Sequence, residues 1–212
     1  MNQRSGLVLT EKTYQDNGVY VSYPQAVSDT GKSRTDLING IILADINRFL
    51  NLYSKDVIAP PAAGSGLFLR DTLHIGYEIM RNDDRILSIF YTADFYSPYA
   101  PHPTQLIFST NIDLINNRRL KLSDILQVDD VLPDEFLFWE PVGNGQYINE
   151  IRDYIRGLGK EVLRSGFGSA DIIGSMNRLG IFSYLKPNRI GISISVPNYL
   201  GDHAEFEKNL QL

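Results

Sequence analysis

Apolar positions recur with a period of two along most of this chain and with a helical period in two stretches, and the switches between the two mark out its elements. From Thr13 to Val27, Tyr14, Val19, Tyr20, Val21 and Tyr23 flank Asp16-Asn17-Gly18, which predicts a short hairpin. Leu37, Ile38, Ile41, Ile42, Asp45, Ile46, Phe49, Leu50 and Tyr53 then trace a broad stripe. They predict a helix over residues 34–53, with the capping-box spacing of Ser33 and Asp36 at its start. A linker rich in Pro, Ala and Gly, residues 59–66, leads into a meander of strands at 73–81, 86–94, 105–114 and 118–122, followed by a helical turn at 122–126. A second amphipathic stripe, Tyr147, Ile151, Tyr154, Ile155, Leu158 and Val162, predicts a helix over 147–164 that Gly166 and Gly168 stop, with a further short helix over 169–177. Ile190, Ile192, Ile194 and Val196 alternate strictly and pair with residues 181–185 around Lys186-Pro187-Asn188 as a C-terminal hairpin with one buried face.

Together these elements predict an α+β fold. An antiparallel sheet built from the 73–122 meander is joined to the C-terminal hairpin, with both long helices packed on its faces. Ile42, Phe49, Ile151 and Ile155 must then be buried. At 212 residues the chain suits one domain or two intimately packed halves, 1–125 and 126–212.

Charge narrows the function. The net charge of −5, from 25 acids and 20 bases spread over both halves, leaves no basic stripe to neutralise a phosphate backbone, so nucleic acid is not an expected partner. The chain has no cysteine, which excludes a thiol nucleophile, a disulfide and a Cys-type zinc site. No segment approaches the ~18 apolar residues of a membrane span, and residues 1–10 lack the basic start and apolar run of a signal peptide.

Motifs for a nucleophile elbow, a P-loop, an H-E-x-x-H helix and a dinucleotide turn are missing. Four local features remain. His102 lies between Pro101 and Pro103, whose fixed φ angles stiffen a loop that also carries Phe95, Tyr96 and Tyr99; this is a recognition loop or plain loop structure. Asp124, Asp129, Asp130, Asp134, Glu135 and Glu140 occur with no intervening base. They lack the order of an EF-hand and form either a solvated acidic loop or a face for a basic partner. Phe136, Phe138 and Trp139 are core or an aromatic surface. Asp202, His203, Glu205 and Glu207 form a solvated edge or, if on a strand, place three metal-type donors on one face; with a single imidazole, no metal and no cofactor are expected.

Several short strings carry a resemblance: Arg85-Ile86-Leu87-Ser88-Ile89-Phe90, Ala100-Pro101-His102-Pro103, Ser109 to Leu114 leading to Leu120-Lys121-Leu122-Ser123-Asp124, and Tyr184-Leu185-Lys186-Pro187 before a strand and Gly201. With the element order, they resemble the PdaC/RsiV-like extracytoplasmic modules of Gram-positive bacteria, known from a polysaccharide deacetylase and an anti-sigma factor. The match runs from about Thr13 to about Glu207 and departs from the family's glycine-rich approach to the loop histidine at Tyr99, Ala100 and Pro101. The resemblance implies a PdaC-like first half, an RsiV-like second half, and a non-catalytic binding module outside the cytoplasm, its signal or anchor absent from this sequence. In the deacetylase the chemistry lies in a separate domain, and in the anti-sigma factor the module is a receptor for host lysozyme. The expected partner is therefore a lysozyme-like protein or a cell-wall glycan, with Tyr96, Tyr99, His102, Asp129 and Asp130 as candidate contacts. The alternative is a wall-polymer hydrolase working through Asp94, His102 or the carboxylates near Asp202.

Overall fold

Asn17 and Gly18 both take positive φ, 46° and 88°, as a two-residue turn twisted to match its strands requires. They join β1 (Val8–Asp16) to β2 (Val19–Val27). The computed structural model that shows this describes residues 6–27, 32–57, 71–98, 100–143 and 147–210. The hairpin starts earlier than the pattern predicted because β1 is almost wholly exposed and is held by pairing alone, with no alternation to mark it. α1 (Lys32–Val57) is already helical at Lys32, so the Ser33 and Asp36 spacing falls inside the helix and not at its start. The linker at residues 59–66 lies outside the described residues.

β3 (Thr72–Asn82), β4 (Ile86–Tyr96), β5 (Thr104–Asp113) and β6 (Arg118–Leu120) form the predicted antiparallel meander. The hairpin adds to it through β2, which runs parallel to β3 over Val19–Val21 and Leu73–Ile75. The sheet order is β1-β2-β3-β4-β5-β6. A parallel pair needs a crossover, and α1 supplies it, lying on one face of the sheet. Ile42 and Phe49 are 1% and 2% exposed, and Phe49 stacks on Phe108 at 4.4 Å. Each buried Ile, Leu or Phe on this face contributes about 1.5–3 kcal/mol. Asp45, the polar member of the stripe, is buried too; Thr110 Oγ1 donates to its carboxylate at 2.9 Å and Arg119 Nε at 2.6 Å.

After β6 the chain turns through α2 (Leu122–Ile125), α3 (Leu132–Phe136), β7 (Glu140–Pro141), α4 (Ile148–Leu158) and α5 (Lys160–Gly168), and then forms β8 (Phe182–Lys186), β9 (Arg189–Ser195) and β10 (His203–Asn209). The C-terminal hairpin does not extend the meander as expected; it belongs to a second sheet, ordered β7-β10-β9-β8. The reason lies in its two faces. Ile190, Ile192 and Ile194 pack on the core of Phe136, Ile151, Ile155 and Phe167, whereas Gly191 and Ser193 present small groups where the first sheet stacks through β8. The single predicted helix over 147–164 is two helices, broken at Gly159, whose φ of 83° and ψ of 152° suit glycine. Gly168 is the last residue of α5, as expected, whereas Gly166 lies inside it, where a Cβ would stand 2.6 Å from Leu179 Cδ1. No helix covers 169–177, where Asp171 has φ 63° and turns its carboxylate inward.

That carboxylate anchors a buried polar seam between the sheets. Ser183 N and Leu122 N each donate to Asp171 at 2.6 Å, and Ser183 Oγ at 2.7 Å. Ser88 Oγ donates to Asn111 Oδ1 at 2.7 Å and accepts from Leu185 N at 2.9 Å, while Asn111 Nδ2 donates to Ser183 O at 2.9 Å. Burial pushes the Asp171 carboxyl above the usual range against these bonds. Ser88, Ser109, Asn111 and Leu122 all belong to the strings that carry the family resemblance, so those strings encode the seam.

Candidate functional site

With Val19, Val21, Leu73, Ile75, Tyr91 and Ala93 turned toward α1, the alternation of each strand turns Tyr20, His74 and Asp94 to the opposite face of the first sheet. Strand register then lines them up. Gln15 lies opposite Tyr20, Tyr20 opposite His74, His74 opposite Asp94, and Asp94 opposite Gln105. Five consecutive strands thus each give one polar or aromatic side chain to a single row. The Tyr20 and His74 rings stack at 4.5 Å with planes 18° apart, which holds both in place. Gln105 Nε2 donates to Asp94 Oδ1 at 2.8 Å, fixing the amide so that its Oε1 meets His203 Nε2 on β10. His203 Nδ1 contacts Glu205, which also accepts from Ser193 Oγ at 2.9 Å.

Beside the row, the next positions of the same strands are Thr13, Ser22, Gly76 and Thr92, also in register or nearly so. Small side chains here form the floor of a groove of about 590 Å³, and a Cβ at Gly76 would meet nothing within 4 Å. Among the described residues no hydrogen bond engages the side chains of Gln15, Tyr20 or His74. The row therefore offers hydrogen-bonding groups to a ligand, on rings already immobilised. None of Gln15, Tyr20, His74 and Gln105 carried a local signal in the sequence. Each is simply the outward residue of an alternating strand, and only register shows that they meet.

The residues singled out from sequence lie elsewhere or at the margin. Tyr96 is 46% exposed at the end of β4, on the same strand face as Asp94. Tyr99 lies outside the described residues. His102 is exposed in the β4–β5 loop, its Nδ1 3.1 Å from Pro103 O. Asp129 accepts from Val131 N at 2.9 Å and Leu132 N at 3.2 Å, tying down the start of α3, and exposed Asp130 pairs with Arg164 at 3.3 Å. Among the described residues no hydrogen bond or ion pair joins Asp129 or Asp130 to Tyr96 or His102. The remaining acids of that run are paired as well: Asp124 with Arg118 at 2.9 Å, Asp134 with Lys160 at 2.7 Å, Glu135 with Lys208 at 3.3 Å, and Glu140 with Arg189. Phe136 and Trp139 are buried, whereas Phe138 is 85% exposed.

His203, Glu205 and Glu207 do share one face of β10, but their donors are taken. Glu207 accepts from Tyr184 Oη at 2.8 Å and pairs with Lys186 at 2.7 Å and Arg189 at 3.2 Å. Burial raises its pKa, yet Lys186 and Tyr184 outweigh that and hold it below the ordinary glutamate value. Among the described residues no three His, Asp or Glu side chains converge to hold a metal ion. Asp202, another carboxylate of that end, accepts from Gln105 N at 2.9 Å and Asn198 Nδ2 at 3.1 Å.

No protein-family model and no curated protein matches this chain. Solved structures do, two of them as follows. A member of the DUF3298 family from Bacteroides fragilis superposes with a TM-score of 0.51 at 16% identity, over 98% of this chain and 90% of its own. A DUF3298 family protein from Pseudomonas aeruginosa gives 0.50 at 11% identity, over 99% and 91%. The chain has a DUF3298-type fold. The likeness extends over 98% of this chain and so takes in both sheets. No described helix is long and apolar enough to cross a membrane.

Proposed function

We propose that this protein is a non-catalytic, extracytoplasmic binding module that takes cell-wall glycan in the groove of its first sheet. The observation that carries the reading is the Gln15-Tyr20-His74-Asp94-Gln105 row above a floor of small residues. A glycan is dense in hydroxyls and short of apolar anchors. It is best met by a shallow surface of fixed amide, carboxylate, phenol and imidazole groups, because pre-organised partners lose little entropy on binding. The extracytoplasmic placement is what the resemblance of the strings to PdaC/RsiV-like modules implies.

Two alternatives draw less support. A lysozyme-like protein partner called for an acidic face to steer a basic protein, and the acids between Asp124 and Glu140 have basic neighbours that cancel much of that field. A hydrolase needs a general acid with a raised pKa facing its substrate, and the carboxyl that burial raises, Asp171, is sealed between the sheets. The test is co-sedimentation with purified peptidoglycan, together with calorimetry on soluble glycan fragments. Tyr20→Ala and His74→Ala should each weaken binding by about tenfold, the equivalent of one good contact. Failure of the parent protein to bind any wall glycan would overturn the reading.

A further inference from the structure

We infer that the ligand is an extended, β-linked glycan chain lying across the strands, with about one sugar over each strand from β1 to β4 or β5. This rests on the glycan reading above and adds the class and pose of the ligand. The row runs perpendicular to the strands, so its members repeat at the strand separation of ~4.8 Å, and five of them span about 19 Å. An extended 1,4-linked pyranose chain repeats at a distance close to that separation. Each successive sugar therefore meets the next side chain in the row, Gln15, the Tyr20-His74 pair and then Asp94, while Gln105, its amide engaged by Asp94 and His203, braces the far end.

Running along the strands is blocked or unrewarded. On β4 the same face passes from Asp94 through the floor residue Thr92 to Phe90, which is covered by Tyr184 of β8 at 5.2 Å, edge to face. On β3 it passes from His74 to Gly76, which offers no side chain. Across the strands the row reaches the β1 edge, where among the described residues β1 has no further neighbour in the sheet. A chain can therefore extend beyond the site on that side, as an internal stretch of a polymer must.

The experiment is a length series of β-1,4-linked N-acetylglucosamine oligomers, from one to six sugars, titrated calorimetrically into the full chain. Affinity should rise about three- to tenfold with each sugar up to the fourth or fifth and then level off. Gln15→Ala and Asp94→Ala, both exposed and neither in a core, should each bring the plateau about one sugar earlier. Binding that is already saturated with one or two sugars would overturn the inference while leaving the glycan reading intact. So would a length dependence that neither substitution shortens. Absence of binding by every oligomer and by whole peptidoglycan would instead bring down the glycan reading itself.

Discussion

Both sheets carry polar side chains, and the sheets differ in what those side chains do. On the second sheet Ser183, Ser193, His203, Glu205 and Glu207 are bonded to one another or to neighbours, and the sheet is covered on both faces. On the first sheet the part of the face not reached by β8 keeps Gln15, Tyr20 and His74 without such bonds and leaves open space beside Gly76. Polarity alone did not separate a site from a scaffold here. The deciding quantity is whether each group is already satisfied inside the fold.

Substitutions can break or sharpen that contrast. The largest effect is expected at the seam. Asp171→Ala would leave Ser183 N, Leu122 N and Ser183 Oγ as buried donors without partners and should cost about 3–5 kcal/mol in chemical denaturation. Next comes a glycine pair. Gly191→Ala places a Cβ 2.0 Å from the Tyr184 ring, which Glu207 and Phe90 hold still, and should cost about 2–3 kcal/mol, whereas Gly76→Ala should change stability by less than about 0.5 kcal/mol. Equal costs for the two would mean that the first-sheet face is as closed as the second.

Glu207→Gln is expected to cost about 1–2 kcal/mol at pH 7. Because the folded-state pKa of Glu207 lies below its unfolded value, its contribution is present above the unfolded pKa and fades as the pH falls through the folded one. The gap between parent and variant should therefore narrow below about pH 5, read from urea midpoints at several pH values. A small stability change is also expected at the row. Tyr20→Ala removes one exposed stacking pair and should lower stability by about 1 kcal/mol or less while weakening glycan binding far more. A loss of stability matching the loss of binding would assign the pair to the scaffold.

Much of the fold was legible because burial imposes a period. The stripe from Ile38 to Phe49 and the alternation of Ile190, Ile192 and Ile194 state which face is inside. What periodicity does not state is which buried face meets which, and the C-terminal hairpin was accordingly joined to the wrong sheet. Glycine likewise has two uses that look alike in sequence: Gly159 breaks a helix through its φ, while Gly166 permits a close approach inside one. The candidate site was less legible. Stiff prolines around His102 and a run of acids are local signals, whereas the row joins Gln15 to Gln105 through four register relations that no single segment contains. The acidic run looked uncompensated because its partners lie outside it, Arg118 before it and Lys160, Arg164, Arg189 and Lys208 after it.

The parallel pairing of β2 with β3 spans only Val19–Val21 and Leu73–Ile75, with one more bond from Leu73 N to Gly18 O at 2.9 Å. This short weld is also the line on which Tyr20 meets His74. The N-terminal hairpin thus supplies one half of the groove, Gln15 and Tyr20, and the meander supplies His74 and Asp94; Asn39 of α1 also bonds both backbone groups of Ala26, and Val19, Val21 and Ala26 are buried in the core. A ligand spanning both halves would tie them together, and the expected outcome is amide exchange slowed more in β2 and β3 than in the second sheet.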